Sequence, residues 1–153
     1  MELSLEGANF IIGFEGYKSK PYLDSRGVPT IGCGSTYYID GSRVEMGDSE
    51  ITLDTAKELL QHHIDTQVIA YIEDIQPLNN LAQNKIDAIL SIAYNIGVTA
   101  FKDSSLLKAI QQNADDTTII QKFRMWNKSG GKALDGLIKR REAEATLYTQ
   151  GTY

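Results

Sequence analysis

The apolar pattern of this chain changes period once. From Tyr22 to Val44 it is rich in Gly, Thr, Tyr, Val and Ile, with turn signals at Ser25 to Pro29 and Ile39 to Arg43. That block reads as a small antiparallel sheet of three short strands, the Asp40-Gly41 pair marking its second hairpin. Beyond it every pattern is helical. Thr52 can cap a helix in which Leu53, Ala56, Leu60, Ile64 and Val68 run toward Ile72, with Pro77 at or just past its end. Ile86, Ile89, Leu90, Ala93 and Ile96 form a core-facing stripe closed by Gly97. Ser104 or Ser105 can cap a short helix through Gln112, Asp116 can open another through Trp126, "NKSGGK" is a loop, and a last helix runs from about Leu134 to Tyr148. Ahead of the sheet, Leu3, Phe10, Ile11 and Phe14 share a helical face ended by Gly16, which delivers Glu15 at the last turn.

Strands grouped in one block, rather than alternating with helices, argue for an α+β fold and against a doubly wound sheet. The expected layout is one domain of 153 residues. A β-rich lobe spans about 15–50, a helical lobe takes about 1–14 and 73–153, and a connecting helix covers about 53–72. The cleft between the lobes is the natural ligand site.

Charge and composition narrow the function. Fifteen basic against twenty acidic residues give a net charge of -5, which removes the electrostatic footprint of a nucleic-acid binder or a polybasic membrane anchor. Cys33 is the sole cysteine and reads as a small packed residue. The start lacks the basic and apolar regions of a signal peptide, and no apolar run is long enough to span a bilayer. A protein of this kind is expected to stay in the cytoplasm where it is made. His62 and His63 point about 100° apart on a helix and cannot share a metal. Asp115 and Asp116 suit a helix N-terminus, so neither metal nor cofactor is expected.

The ribbon "FEGYKSKPYLDSRGVPTIGCG" holds two carboxylates, Glu15 and Asp24, on different elements. Glycosidic cleavage needs such a pair: an acid to protonate the leaving oxygen and a carboxylate to activate water or attack the sugar. Spacing alone does not select this pair from the twenty acids present. The ribbon resembles the signature of the phage-type lysozymes, in which Glu is followed nine positions on by Asp, six further by Thr, and then by Ile-Gly-x-Gly; Glu15, Asp24 and Thr30 fall at those intervals. "AYNIGVTAFKDSSLL" is similar to that family's cleft helix and the segment after it, and "MWNKSGGKALDGLIKRREAEATLY" to its Trp, Gly and Arg-Arg-x-x-Glu tail. The three blocks occur in order over nearly the whole chain.

The resemblance implies a lysozyme-like α+β fold and a muramidase that hydrolyses the β-1,4 bond between N-acetylmuramic acid and N-acetylglucosamine in peptidoglycan. It implies Glu15 as general acid, Asp24 as the base that positions water, and Thr30 as a hydroxyl holding that water, with inversion at the anomeric carbon. Glu15 must then keep its proton near neutral pH while Asp24 loses its own. It further implies a monomeric endolysin that waits in the host cytoplasm until a holin, a partner acting without direct contact, opens the inner membrane to the wall. Ser35 stands where many members carry His, a position outside the catalytic set, so activity should survive. The acidic charge places affinity in cleft contacts and predicts activity that tolerates salt.

Gly34, Tyr94, Asn95 and Ser105 match substrate-contacting positions of the family. The residues themselves leave other readings open: Gly34 as an ordinary strand glycine, Tyr94 as a cap on the apolar stripe, and Tyr17, Tyr22, Tyr37 and Tyr38 as packing residues. In the last helix Leu134, Leu137, Ile138, Ala145 and Tyr148 define an apolar face with Arg141 near its centre and Arg140 to the side, within reach of Glu144. Buried, Arg141 needs a partner, either Glu15, as the family implies, or another acid. A cation beside Glu15 would favour its charged form, which burial must offset. Two other readings stand beside the muramidase: a lytic transglycosylase, which needs no Asp24 and Thr30, and a non-catalytic wall-binding or phage structural module.

Overall fold

The computed structural model describes residues 1–153. Helix α1, Leu5–Glu15, begins where the Ser4 hydroxyl accepts the Gly7 amide at 2.9 Å and ends where Gly16 turns out at φ +77°. Strands β1, Lys18–Leu23, and β2, Pro29–Gly32, pair antiparallel, with Lys18 opposite Gly32, Tyr22 opposite Thr30 and an irregularity between those pairs. The fold is α+β, as the grouped strands require, but the sheet has two strands rather than three. The third survives only as isolated bridges, Ile31 to Ser35 and Tyr37 to Arg43. Side chains compete with the ladder there: Asp40 accepts the Ser42 amide at 2.8 Å, and Asp48 accepts the Glu45 amide and the Tyr38 hydroxyl, both at 2.8 Å. Such local acceptors bend the backbone into turns.

Thr52 caps α2, Leu53–Ile64, by accepting the Thr55 amide at 3.2 Å. The rod continues through a π-helical stretch, Asp65–Ile69, into α3, Ala70–Ile72. Within that wider turn the Thr66 hydroxyl takes the His62 carbonyl at 2.8 Å, the kind of insertion that widens a helix locally. Then come α4, Gln83–Ile96, α5, Val98–Lys102, α6, Ser105–Gln111, α7, Asp116–Arg124, and α8, Asp135–Gln150. Ser104, not Ser105, caps α6, its hydroxyl accepting the Leu107 amide at 3.1 Å. Asp115 caps α7, so the cap lies one residue ahead of the expected start. The "NKSGGK" loop is a minimal hairpin, β3, Lys128–Ser129, against β4, Lys132–Ala133.

Two apolar clusters explain the two lobes. The larger has 25 buried residues drawn from α1, the connecting rod and α4 to α8; the smaller is Ile31, Val44 and Leu59, with Tyr38 and Ile51 against it. Successive residues of α2 serve different clusters, Leu59 the small one and Leu60 the large one. Because neighbours on a helix point about 100° apart, one rod faces both lobes. No helix is long and apolar enough to cross a membrane.

Helix α8 buries Arg141, Ala145 and Tyr148 of the expected face but departs from it in the first turn. Leu134 and Ile138 are exposed, while Arg140, Arg141, Glu144, Ala145, Leu147 and Tyr148 are buried. Its charged middle, rather than its apolar first turn, meets α4.

Candidate active site

Gly16 ends α1 one residue after Glu15 and so leaves that carboxyl at the lobe boundary, 25% exposed. Its partner is Arg140, whose Nη1 donates to Glu15 Oε1. Of the two partners open to Arg141, it takes the other acid, and its neighbour Arg140 is the one that reaches Glu15. Arg141 donates to Glu144 Oε1 at 2.9 Å and to the Trp126 carbonyl at 3.3 Å, so its acid is Glu144. Both arginines are buried, at 4% and 1% exposure. The i, i+4 spacing of Arg140 and Glu144 was the visible clue to a buried pair, but which arginine turns toward α1 depends on how α8 packs on α4.

Asp24 sits in the β1–β2 turn. Its Oδ1 accepts the Arg26 amide at 2.8 Å and the Val28 amide at 2.9 Å. The amide of Val28, then that of Arg26, hold its carboxyl below the ordinary value of 3.8. Oδ2 has only a 3.5 Å approach from Arg26, which leaves it free to accept a proton. Thr30, 2% exposed, donates its hydroxyl to the Val28 carbonyl at 2.8 Å. The same turn therefore ties Asp24 and Thr30 together through Val28.

Tyr22 feels the charge of both acids. Burial pushes its phenol up from 10.0, and the charges of Asp24 and Glu15 add to that, so both carboxylates act on one ring. Tyr94 joins α4 to the strand lobe: its hydroxyl donates to the Cys33 carbonyl at 2.9 Å. Burial, followed by the Glu15 charge, raises Tyr94 strongly. Gly34, at φ +97°, lies beneath that hydroxyl, and a Cβ there would stand 3.3 Å from it. Behind Tyr94, His63 packs edge-on at 5.3 Å and lines a hollow of about 320 Å³ with Ser35, Thr36, Tyr38, His62 and Thr66.

The structure thus joins Asp24 to Thr30 through Val28 and sets Gly34 against Tyr94, whose phenol feels the charge of Glu15. Asn95 faces a separate concavity of about 350 Å³ with Trp126, Lys128, Ser129 and Leu137. Ser105 contacts Met125, its hydroxyl 3.6 Å from the sulfur. Sequence reasoning missed Arg140, Glu144 and Ser91 as the support behind Glu15. The largest concavity, about 370 Å³, is lined by Leu81, Lys85, Ile110, Ala114 and Tyr148 and holds none of the site residues.

An acid at the end of α1 followed by a second acid in a strand turn is the lysozyme-like order of the sequence signature set into an α+β fold. The phage lysozyme family model matches residues 12–144, and the chain belongs to that family. It is 37% identical to the endolysin of Salmonella phage P22, over 97% of this chain and 98% of that protein. It is 35% identical to the endolysin of Bacillus phage PZA, over 99% of this chain but 57% of that protein. The chain therefore spans little more than half the length of some curated relatives. The crystal structure of a P22 lysozyme mutant superposes with a TM-score of 0.86 at 35% identity, covering 97% of this chain and 98% of that one.

Proposed function

We propose that this chain is an endolysin muramidase that hydrolyses the β-1,4 bond between N-acetylmuramic acid and N-acetylglucosamine in peptidoglycan. The observation that carries the reading is the placing of two acids on different elements, one at the end of α1 and one in the β1–β2 turn. Asp24 is held ionised by two amides, whereas Glu15 stands at the end of α1 against a guanidinium whose charge is shared with a second acid. Cleavage of a glycoside by general acid and base needs two such carboxyl groups, one to give and one to take a proton.

Glu15 gives its proton to the glycosidic oxygen as the bond from that oxygen to the anomeric carbon breaks. A water on the opposite face, held by Asp24 and the Thr30 hydroxyl, forms the new bond and passes its proton to Asp24 Oδ2. Attack from the opposite face inverts the anomeric carbon. Gly34 lets backbone approach the sugar, Tyr94 offers a ring beside it, and Asn95 and Ser105 extend contacts along the helical lobe. The chemistry uses no metal or cofactor, and the protein acts as a monomer without nucleic acid. It reaches the wall from the host cytoplasm once a holin opens the membrane.

Reducing-end release from purified peptidoglycan tests this, with Glu15→Gln as control and product ends analysed by mass. Hydrolytic ends that vanish with Glu15→Gln, and an inverted anomer in early product by NMR, are expected. Anhydro ends would mean a transglycosylase; binding without turnover would mean a wall-binding module.

A further inference from the structure

Two arginines buried side by side are costly unless anions meet them, and α8 buries Arg140 and Arg141 at successive positions. A single carboxylate serves both. Glu144, 0% exposed, accepts through Oε1 from Arg140 Nε at 3.1 Å, from Arg141 Nη2 at 2.9 Å and from the Ser91 hydroxyl at 2.6 Å. Its Oε2 lies 2.7 Å from Arg141 Nε, a close ion pair whose angles do not make a hydrogen bond. Arg140 Nη2 meanwhile donates to the Ser91 carbonyl at 3.3 Å and to its hydroxyl at 3.4 Å. With Nε and Nη2 so engaged, Nη1 is the nitrogen turned toward Glu15. The Phe14 ring lies against the same guanidinium, 5.6 Å from its centre.

We infer that Glu144 is a positioning residue for Glu15: it fixes the Arg140 guanidinium so that Nη1 faces the Glu15 carboxyl, and its own negative charge offsets the cation that Glu15 meets. The inference rests on Glu15 being the general acid. Such a group has to be aimed, and a guanidinium aims a carboxyl well. A bare cation at that distance would also strip the proton the acid must deliver. Glu144 separates the two effects, keeping the geometry while compensating the charge. Glu15 and Glu144 face Arg140 and Arg141, so the cluster is neutral when Glu15 is ionised and carries a single positive charge when Glu15 holds its proton. Tyr94 on α4, Tyr22 on β1 and Cys33 after β2 also sense Glu15, and all three are uncharged at neutral pH. Asp24 adds a negative charge at Tyr22. None of these groups compensates Arg140 in place of Glu144.

Glu144→Gln keeps the shape and removes the charge. Carbon NMR of the Glu15 carboxyl in the full chain follows its titration independently of turnover. The midpoint should fall by about one pH unit in Glu144→Gln, the alkaline limb of kcat should move with it, and KM should stay within about twofold. Arg141→Gln removes the competing cation and should move both upward, and it decides the matter if Glu144→Gln does not fold. In an Arg140→Gln background the Glu144 substitution should lose most of its effect. Activity that falls in Glu144→Gln or Arg141→Gln with the midpoint and limb unmoved would reduce Glu144 to a packing role and overturn the inference. Peptidoglycan cleavage that survives Glu15→Gln would instead sink the reading of Glu15 as acid, with the NMR titration still judging whether Glu144 governs that carboxyl.

Discussion

Replacing Gly34 with alanine tests how the strand lobe and α4 are held together at the site. Gly34 sits at φ +97°, where a methyl group would stand 3.3 Å from the Tyr94 hydroxyl. An L-residue forced to positive φ costs about 1–2 kcal/mol. Moving the phenol away stretches its 2.9 Å bond to the Cys33 carbonyl, a loss of about 1 kcal/mol. The sum is about 2–3 kcal/mol, or roughly 5–10 °C in Tm for a chain of this size. Urea unfolding gives the equilibrium value, and Tyr94→Phe completes a double-mutant cycle. Tyr94→Phe alone should cost about 1 kcal/mol. It should also relieve the contact in the double variant, so the two losses add to less than their sum by about 0.5–1 kcal/mol. A Gly34→Ala protein within about 0.5 kcal/mol of wild type, or strict additivity, would refute the claim that backbone strain and the tyrosine contact constrain this position.

Three other perturbations probe different layers. A Cβ at Gly7 would fall 2.5 Å from the Asp87 carboxyl carbon. Asp87 is fully buried and accepts from the Ser4 amide and hydroxyl, Gln83 and Tyr153. Gly7→Ala should therefore cost more than about 2 kcal/mol in urea unfolding, and unchanged stability would show that the contact yields freely. Burial, with His62 adding, holds His63 below 6.5, so the unfolded chain binds the extra proton as pH falls. Stability is then full above the unfolded value and erodes from about pH 6.5 down through the folded value. His63→Phe should flatten that stretch of a Tm-against-pH curve, and an unchanged slope would exclude His63 as its source. Asp24, depressed below 3.8 by the Val28 and Arg26 amides, is ionised above its folded value and protonates only as pH falls through it. The acid limb of kcat/KM should accordingly lie below pH 3.8, and a limb above that, traced to Asp24 by Asp24→Asn, would contradict its role as base.

Much of the local structure follows from residues near in sequence. Ser4, Thr52 and Asp115 cap the helices that follow them, and Gly16 stops α1 at Glu15, because caps and stops depend on a few adjacent backbone groups. The third strand does not form because Asp40 and Asp48 offer acceptors that the ladder must compete with, and alternation alone does not weigh that competition. The first turn of α8 departs from its pattern for a different reason: Leu134 and Ile138 are apolar but reach past the core into solvent.

By itself the sequence determined the α+β layout, the ends of the rod from α2 to α3 and of α6, α7 and α8 to within a residue or two though not the short α5, and the Glu15, Asp24 and Thr30 set at the intervals of the phage lysozyme signature. Those properties are periodic or short-range, so the chain carries them in its order of residues. Tertiary structure alone decided that Arg140 rather than Arg141 reaches Glu15, that Glu144 stands between the two arginines, and that Tyr94 bridges α4 to Cys33. Neighbouring helix positions differ by about 100° in direction. Which of them meets a carboxyl 125 positions away is therefore fixed only by the rotation and depth at which α8 packs on α4 and α1.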